Sequence, residues 1–228
     1  MLRTRPIVML AAMAALALAA GCSDDTPPSG SGDSPAGAGQ RAGPTTRPAG
    51  PTTRPAAGAA DKNPVVVIET SMGTIRAELW INKAPITVAN FLRYVDETFY
   101  DNLIFHRVIK GFMIQGGGFN VMMRLKATHE QIRNEATADK KNLRGTLAMA
   151  RTGAVHSATS QFFINHADNG FLDHKDNTAR GFGYCAFGKV IEGTDVVDKI
   201  AAVPVADVGG HEKVPITPVV IKSIRRAK

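Results

Sequence analysis

Cysteine, tryptophan and tyrosine are scarce in this chain: its 228 residues include two cysteines, one tryptophan and three tyrosines. One cysteine, Cys22, closes the N-terminal apolar stretch, which leaves Cys185 alone in the rest of the chain. No disulfide framework can therefore support the fold, even in an oxidising compartment. The six histidines (His106, His129, His156, His166, His174 and His211) show no metal-ligand spacing. His129-Glu130 opens like HExxH but reaches Arg133 where the second histidine belongs, which argues against a zinc protease. The glycine run Gly116–Gly118 has no following Gly-Lys-Ser/Thr, so it reads as a turn and not a phosphate loop. Neither Ser157 nor Ser160 lies in a nucleophile elbow. The net charge is +7, yet the basic residues are dispersed and no aromatic-interleaved basic stripe suits nucleic acid. The expectation is a protein that works without metal, cofactor or nucleic acid.

What is present divides the chain unevenly. Arg3 and Arg5 precede an apolar run from Ile7 to Ala20, short of the ~20 residues a bilayer span needs. With small residues at its end, residues 1–21 read as a signal peptide. Leu18-Ala19-Ala20-Gly21-Cys22 resembles the lipobox of bacterial lipoproteins, in which the cysteine is acylated and becomes the mature N-terminus. Ala19 departs from that motif, which prefers leucine there, and ordinary cleavage near Ala19 or Ala20 is the alternative; Cys22 would then be a free thiol.

Residues 22–61 are rich in Pro, Gly, Ala, Ser and Thr and almost empty of large apolar side chains. Such a segment buries too little surface to offset its ordering entropy, so a disordered linker is expected. It contains the tandem heptad GPTTRPA, at Gly43–Ala49 and Gly50–Ala56. Prolines favour extended backbone of about 3 Å per residue, giving a semi-rigid spacer reaching on the order of 100 Å. A cell-wall-binding or glycosylated tract is the alternative.

Residues 62–228 suffice for one domain with a sizeable core. Val65–Thr70 and Thr74–Leu79 read as an opening hairpin. Pro85 suits a first helical turn, and Val88, Phe91, Leu92 and Val95 recur at helical spacing. Short strands are expected at Ile104–Val108, Phe112–Gln115, Thr146–Met149, Gln161–Asn165, Tyr184–Val190 and Val219–Arg225. A second helix is expected from Thr194, a capping residue type, with Val196, Val197 and Ile200 inward. Many short strands and two separated helices indicate an all-β fold closed by helices, and composition alone does not choose barrel over sandwich.

Three motifs narrow the reading: FHRVIKGFMIQGGG at Phe105–Gly118, GTLAMAR at Gly145–Arg151, and SQFFIN at Ser160–Asn165. Together they resemble the cyclophilins, the peptidyl-prolyl isomerases. FYDNLIFHRV, SATSQFFIN, DNGFLDH and GFGYCAFGKV make the chain look most like the bacterial periplasmic branch. The resemblance spans roughly residues 63–226 with the motifs in the family's order. It implies a closed eight-stranded antiparallel β-barrel capped by two α-helices.

It also implies a chemistry. Rotation about an X-Pro bond faces a barrier of about 18–20 kcal/mol, while the two ground states differ by only about 0.5–1 kcal/mol. No nucleophile or cofactor is required. The catalyst must hold the proline ring, let the preceding carbonyl swing, and stabilise a twisted bond whose nitrogen has regained its lone pair. That nitrogen accepts hydrogen bonds better when twisted than when planar, so a donor aimed at it favours the transition state. Arginine is always charged and donates from a rigid fork.

The family likeness assigns that donor role to Arg107, places Phe112 beside it, and has Gln115 hold a substrate carbonyl. Met113, Phe163 and Leu172 would join Phe112 around the proline ring. Gln161 would orient Arg107 or the peptide, and the backbone at Ala150 and Arg151 would pair with the substrate as an added strand does. Phe171 stands where many eukaryotic cyclophilins have a pocket tryptophan, Tyr184 where they have a histidine, and Lys110 where a proline is common. Those departures argue against tight cyclosporin binding. The differing segment Asn120–Asn142 is expected to reshape the pocket for residues before proline, and His106 is read as structural.

The function expected is isomerisation of X-Pro bonds in exported proteins, assisting their folding in the cell envelope. The partners are proline-containing polypeptides and, through the lipid anchor, a membrane; nothing asks for more than a monomer. The alternative is a proline-peptide-binding chaperone module whose isomerase activity is incidental. A third reading makes the linker itself the active part, as an envelope tether.

Overall fold

The computed structural model describes residues 62–228. The expected signal peptide, Cys22 acylation site and proline-rich linker all lie outside the described residues. Ten strands and two α-helices follow in the order β1 (Val65–Thr70), β2 (Gly73–Leu79), α1 (Pro85–Asp96), β3 (Leu103–Ile109), β4 (Met113–Asn120), β5 (Thr146–Met149), β6 (Phe162–Asn165), β7 (Ala186–Glu192), α2 (Thr194–Ala201), β8 (Val205–Val208), β9 (His211–Pro215) and β10 (Val220–Arg226).

Eight of the strands close into an antiparallel barrel in the order β1-β10-β3-β4-β6-β5-β7-β2. Alternation along each strand fills it: Ile68, Ile75, Phe105, Ile114, Leu147, Phe162, Ile164 and Phe187 belong to one buried cluster. Helix α1 contributes Val88, Phe91, Leu92 and Val95 to the same cluster, and α2 contributes Val196, Val197 and Ile200. Phe91 is central, its ring 5.2 Å from Tyr100 and 5.4 Å from Phe162 between centroids.

Two local expectations are corrected, and one hairpin is added. Gly116–Gly118 form no turn but lie inside β4, and Gly117 takes φ +84° where the β3–β4 register shifts. Helix α2 does begin at Thr194, but Gly193 occupies the N-cap and no side chain caps it. Strands β8 and β9 form an additional hairpin through Gly209-Gly210, both at positive φ.

Candidate active site

Residues pointing outward from one arc of the barrel form a second, smaller apolar cluster. Met113, Ala148, Phe163 and Leu172 are its buried members, with Ile109, Phe112, Ala150 and Tyr184 packed against them. Strand period explains the sorting: Ile114, Phe162, Ile164 and Leu147 face inward, so their neighbours Met113, Phe163 and Ala148 face out. Register aligns the arc. Arg107 pairs with Gln115, Gln115 with Phe163, and Phe163 with Ala148, so the four side chains form one row across β3, β4, β6 and β5.

Arg107 is half-buried at one end of this row. Its guanidinium has no hydrogen-bond or ion-pair partner among the described residues. Gln115 Nε2 donates to Gln161 Oε1 at 2.9 Å, so the two amides are ordered against each other. The arrangement sets an unengaged cation and an oriented amide pair beside an apolar surface. It can bind an apolar ring and donate hydrogen bonds to a neutral acceptor next to it.

The aromatic rim is built from loops. Phe171 lies in a 3-10 turn, Gly170–Leu172, and is 64% exposed. Its ring stands 5.4 Å from that of Phe112. Tyr184 packs edge-on to Phe163 at 5.8 Å and carries the Arg151 guanidinium over its ring, 4.8 Å from the centre. Arg151 also donates to the carbonyls of Gly183 at 3.0 Å, Thr152 at 3.0 Å and Ala179 at 2.9 Å. The Ala150 N–H is committed to the Gln161 carbonyl at 3.0 Å, so it is not open to an incoming chain. Among the described residues no hydrogen bond involves the Arg151 main-chain N–H or carbonyl.

Beneath the cluster lies a buried amide network that sequence reading missed. Asn165 Nδ2 donates to Thr146 Oγ1 at 2.9 Å, and Asn169 Nδ2 donates to Asn165 Oδ1 at 2.7 Å and to the Phe112 carbonyl at 2.8 Å. Asn142 reaches the carbonyls of Leu172 and Tyr184 at 3.3 and 3.2 Å. These three asparagines tie the Phe112 turn and the loops carrying Leu172 and Tyr184 to the barrel wall. Asn165 ends SQFFIN and Asn169 lies in DNGFLDH, but neither motif told of their burial.

His106, next to Arg107, is buried beside Phe119 at 4.7 Å between ring centres, and its Nδ1 has no partner. Burial pushes its imidazole down to about 4, and His211 adds to the effect. A neutral structural ring is the result, as expected. His129 lies 2.6 Å from Glu97, and no group of three metal-ligating side chains converges among the described residues.

A family model describing the cyclophilin type peptidyl-prolyl cis-trans isomerases matches residues 65–226. The chain belongs to that family. Peptidyl-prolyl cis-trans isomerase B of Escherichia coli K12 is 54% identical over 160 residues, covering 70% of this chain and 98% of that relative. A peptidyl-prolyl cis-trans isomerase of Acinetobacter baylyi is 55% identical over 163 residues, 72% of this chain and 85% of that one. A Cryptosporidium parvum cyclophilin-type isomerase superposes with TM-score 0.60 at 29% identity, covering 73% of this chain and 98% of its own. A second structure of that protein, determined in the presence of the dipeptide Ala-Pro, gives TM-score 0.59 at 29% identity, covering 72% and 99%. This cyclophilin is a peptidyl-prolyl isomerase, built on the expected closed barrel with two helices.

Proposed function

We propose that this cyclophilin is exported, held to the cell envelope by an acylated Cys22, and isomerises X-Pro bonds of proteins folding there. The observation that carries the catalytic part is the row Arg107–Gln115–Phe163–Ala148, with an unpartnered guanidinium at its polar end. The proline ring of the substrate rests on Phe112, Met113, Phe163 and Leu172, with Phe171 and Tyr184 at the rim. Gln115 holds the substrate carbonyl while Gln161 fixes Gln115. The Ala150 carbonyl and the Arg151 main chain pair with the substrate strand. Arg107 donates to the imide nitrogen as it pyramidalises, a bond much weaker in either planar ground state.

Charge-assisted hydrogen bonds contribute about 1.5–3 kcal/mol, and each ~1.4 kcal/mol is about tenfold in rate. Arg107→Ala should therefore lose on the order of 10–100-fold in kcat/KM on an Ala-Ala-Pro-Phe-type peptide while remaining folded. Full activity in a folded Arg107→Ala chain overturns the assignment.

The envelope reading rests on Arg3, Arg5, the Ile7–Ala20 run and the Leu18–Cys22 ending. Ser23 places no aspartate behind the cysteine, which favours the outer membrane in a Gram-negative cell. The monomer acts alone, its long linker giving reach from the membrane. Labelling cells with a fatty-acid probe tests the anchor: the chain should carry label and Cys22→Ala should not. An unlabelled wild-type chain sinks it.

A further inference from the structure

His166 directly follows β6 and grips the β3–β4 turn at two neighbouring residues, Gly111 and Phe112. Its ring Nδ1 accepts the Gly111 N–H at 3.0 Å, and its own main-chain N–H donates to the Phe112 carbonyl at 2.9 Å. Gly111 sits at φ +75°, so the turn has an unusual shape that must be held. An N–H pointing at Nδ1 requires a lone pair there, which puts the proton of the neutral ring on Nε2. That nitrogen faces Asp198 Oδ1 on α2 at 3.1 Å.

The charges around the ring are few and fixed. Asp198 receives Arg144 Nη2 at 2.8 and 2.9 Å, and Arg144 Nη1 donates to the His166 carbonyl at 3.1 Å. The Arg144 main-chain N–H donates to Asp168 Oδ1 at 2.7 Å, and exposed Lys110 precedes Gly111 in the turn. Without the Nδ1 acceptor the Gly111 N–H has no side-chain partner, and the turn loses that tie.

We propose that His166 is a positioning residue for the isomerase: its Nδ1 lone pair holds the turn that carries Phe112, and substrate binding weakens when that acceptor is lost. The inference rests on the proposed place of Phe112 against the proline ring.

Two substitutions separate the ring's two functions. In His166→Asn the amide oxygen stands near the former Nδ1 and keeps an acceptor facing Gly111. In His166→Gln the amide nitrogen can reach Asp198, but no acceptor faces Gly111. KM and kcat of the full chain on an Ala-Ala-Pro-Phe-type peptide are measured at about pH 8, with Phe112→Ala as reference. His166→Gln should raise KM about 2- to 10-fold with kcat little changed, and His166→Asn should stay near wild type. Thermal midpoints of the two variants, both lacking the ring, control for damage to the fold. Equal KM in the two variants overturns the proposal. A Phe112→Ala chain with unchanged KM overturns the pocket reading beneath it.

Discussion

Gly118 leaves open the space that Gln161 fills: a Cβ built on Gly118 would lie 2.7 Å from both Cγ and Nε2 of Gln161. Gln161 in turn holds Gln115 at 2.9 Å, so a missing side chain on β4 determines the position of an amide on the row beside it. Such an overlap is relieved by moving a flexible side chain, which spares the barrel but spoils the amide pair.

Gly118→Ala should therefore lose about 3- to 10-fold in kcat/KM, near the loss in Gln161→Ala, with little change in thermal midpoint. The double variant should be no worse than either single one, because both remove the same interaction. Additive losses in peptide isomerisation would show that Gly118 acts by another route.

The barrel strands were legible because each buries one face. Ile114 and Ile164 alternate with Met113, Gln115 and Phe163, and that period survives in the letters. Closure was not legible from composition; the motifs brought it. The glycine run misled because three glycines suggest a turn, whereas Gly117 supports a bulge within β4 and Gly118 makes room for a neighbour. Gly209-Gly210 was a hairpin signal left unread, since the flanking segments are largely exposed and lack a strong alternating pattern. Arg107, Phe112, Met113, Gln115, Phe163, Leu172 and Tyr184 do converge. The amides that hold them, Asn142 and Asn169, are single polar letters whose burial only the assembled fold reveals.

Helix α1 illustrates a cap invisible to local reading. Its N-cap is Ala84, which supplies no side-chain bond. Glu135 supplies it from a distant loop, accepting the N–H of Ile86 at 3.2 Å, the N–H of Thr87 at 2.7 Å and the Thr87 hydroxyl at 2.7 Å. A carboxylate there also meets the positive end of the helix dipole. Glu135→Ala should cost about 1–2 kcal/mol, or about 2–4 °C of thermal midpoint per kcal/mol. Calorimetry showing no change would mean that solvent caps the helix equally well.

His106 should make stability fall in acid. Its folded imidazole is pushed down to about 4, chiefly by burial, against ~6.5 in an unfolded chain. The unfolded state therefore takes the proton first. The full contribution is present above about pH 6.5, is lost as pH falls toward about 4, and then levels off, amounting to ~3 kcal/mol. Urea unfolding at about pH 7 and about pH 4.5 should show a smaller acid loss in His106→Gln than in wild type. Equal losses would place the acid sensitivity in other groups.

Cys185 is 2% exposed, with its Sγ 3.6 Å from the Thr87 hydroxyl. Burial pushes the thiol up to about 11, so at pH 8 only about one molecule in a thousand carries the reactive thiolate. The residue packs at the foot of α1 as a small apolar group and should survive oxidising conditions unchanged. Iodoacetamide applied to the native full chain at pH 8, followed by peptide mapping, should leave the Cys185 peptide unmodified. Denaturant should make it react fully. Labelling in the native chain at the denatured rate would mean that β7 opens readily around this thiol, and that the apolar wall next to Tyr184 is far less firmly held than its packing indicates.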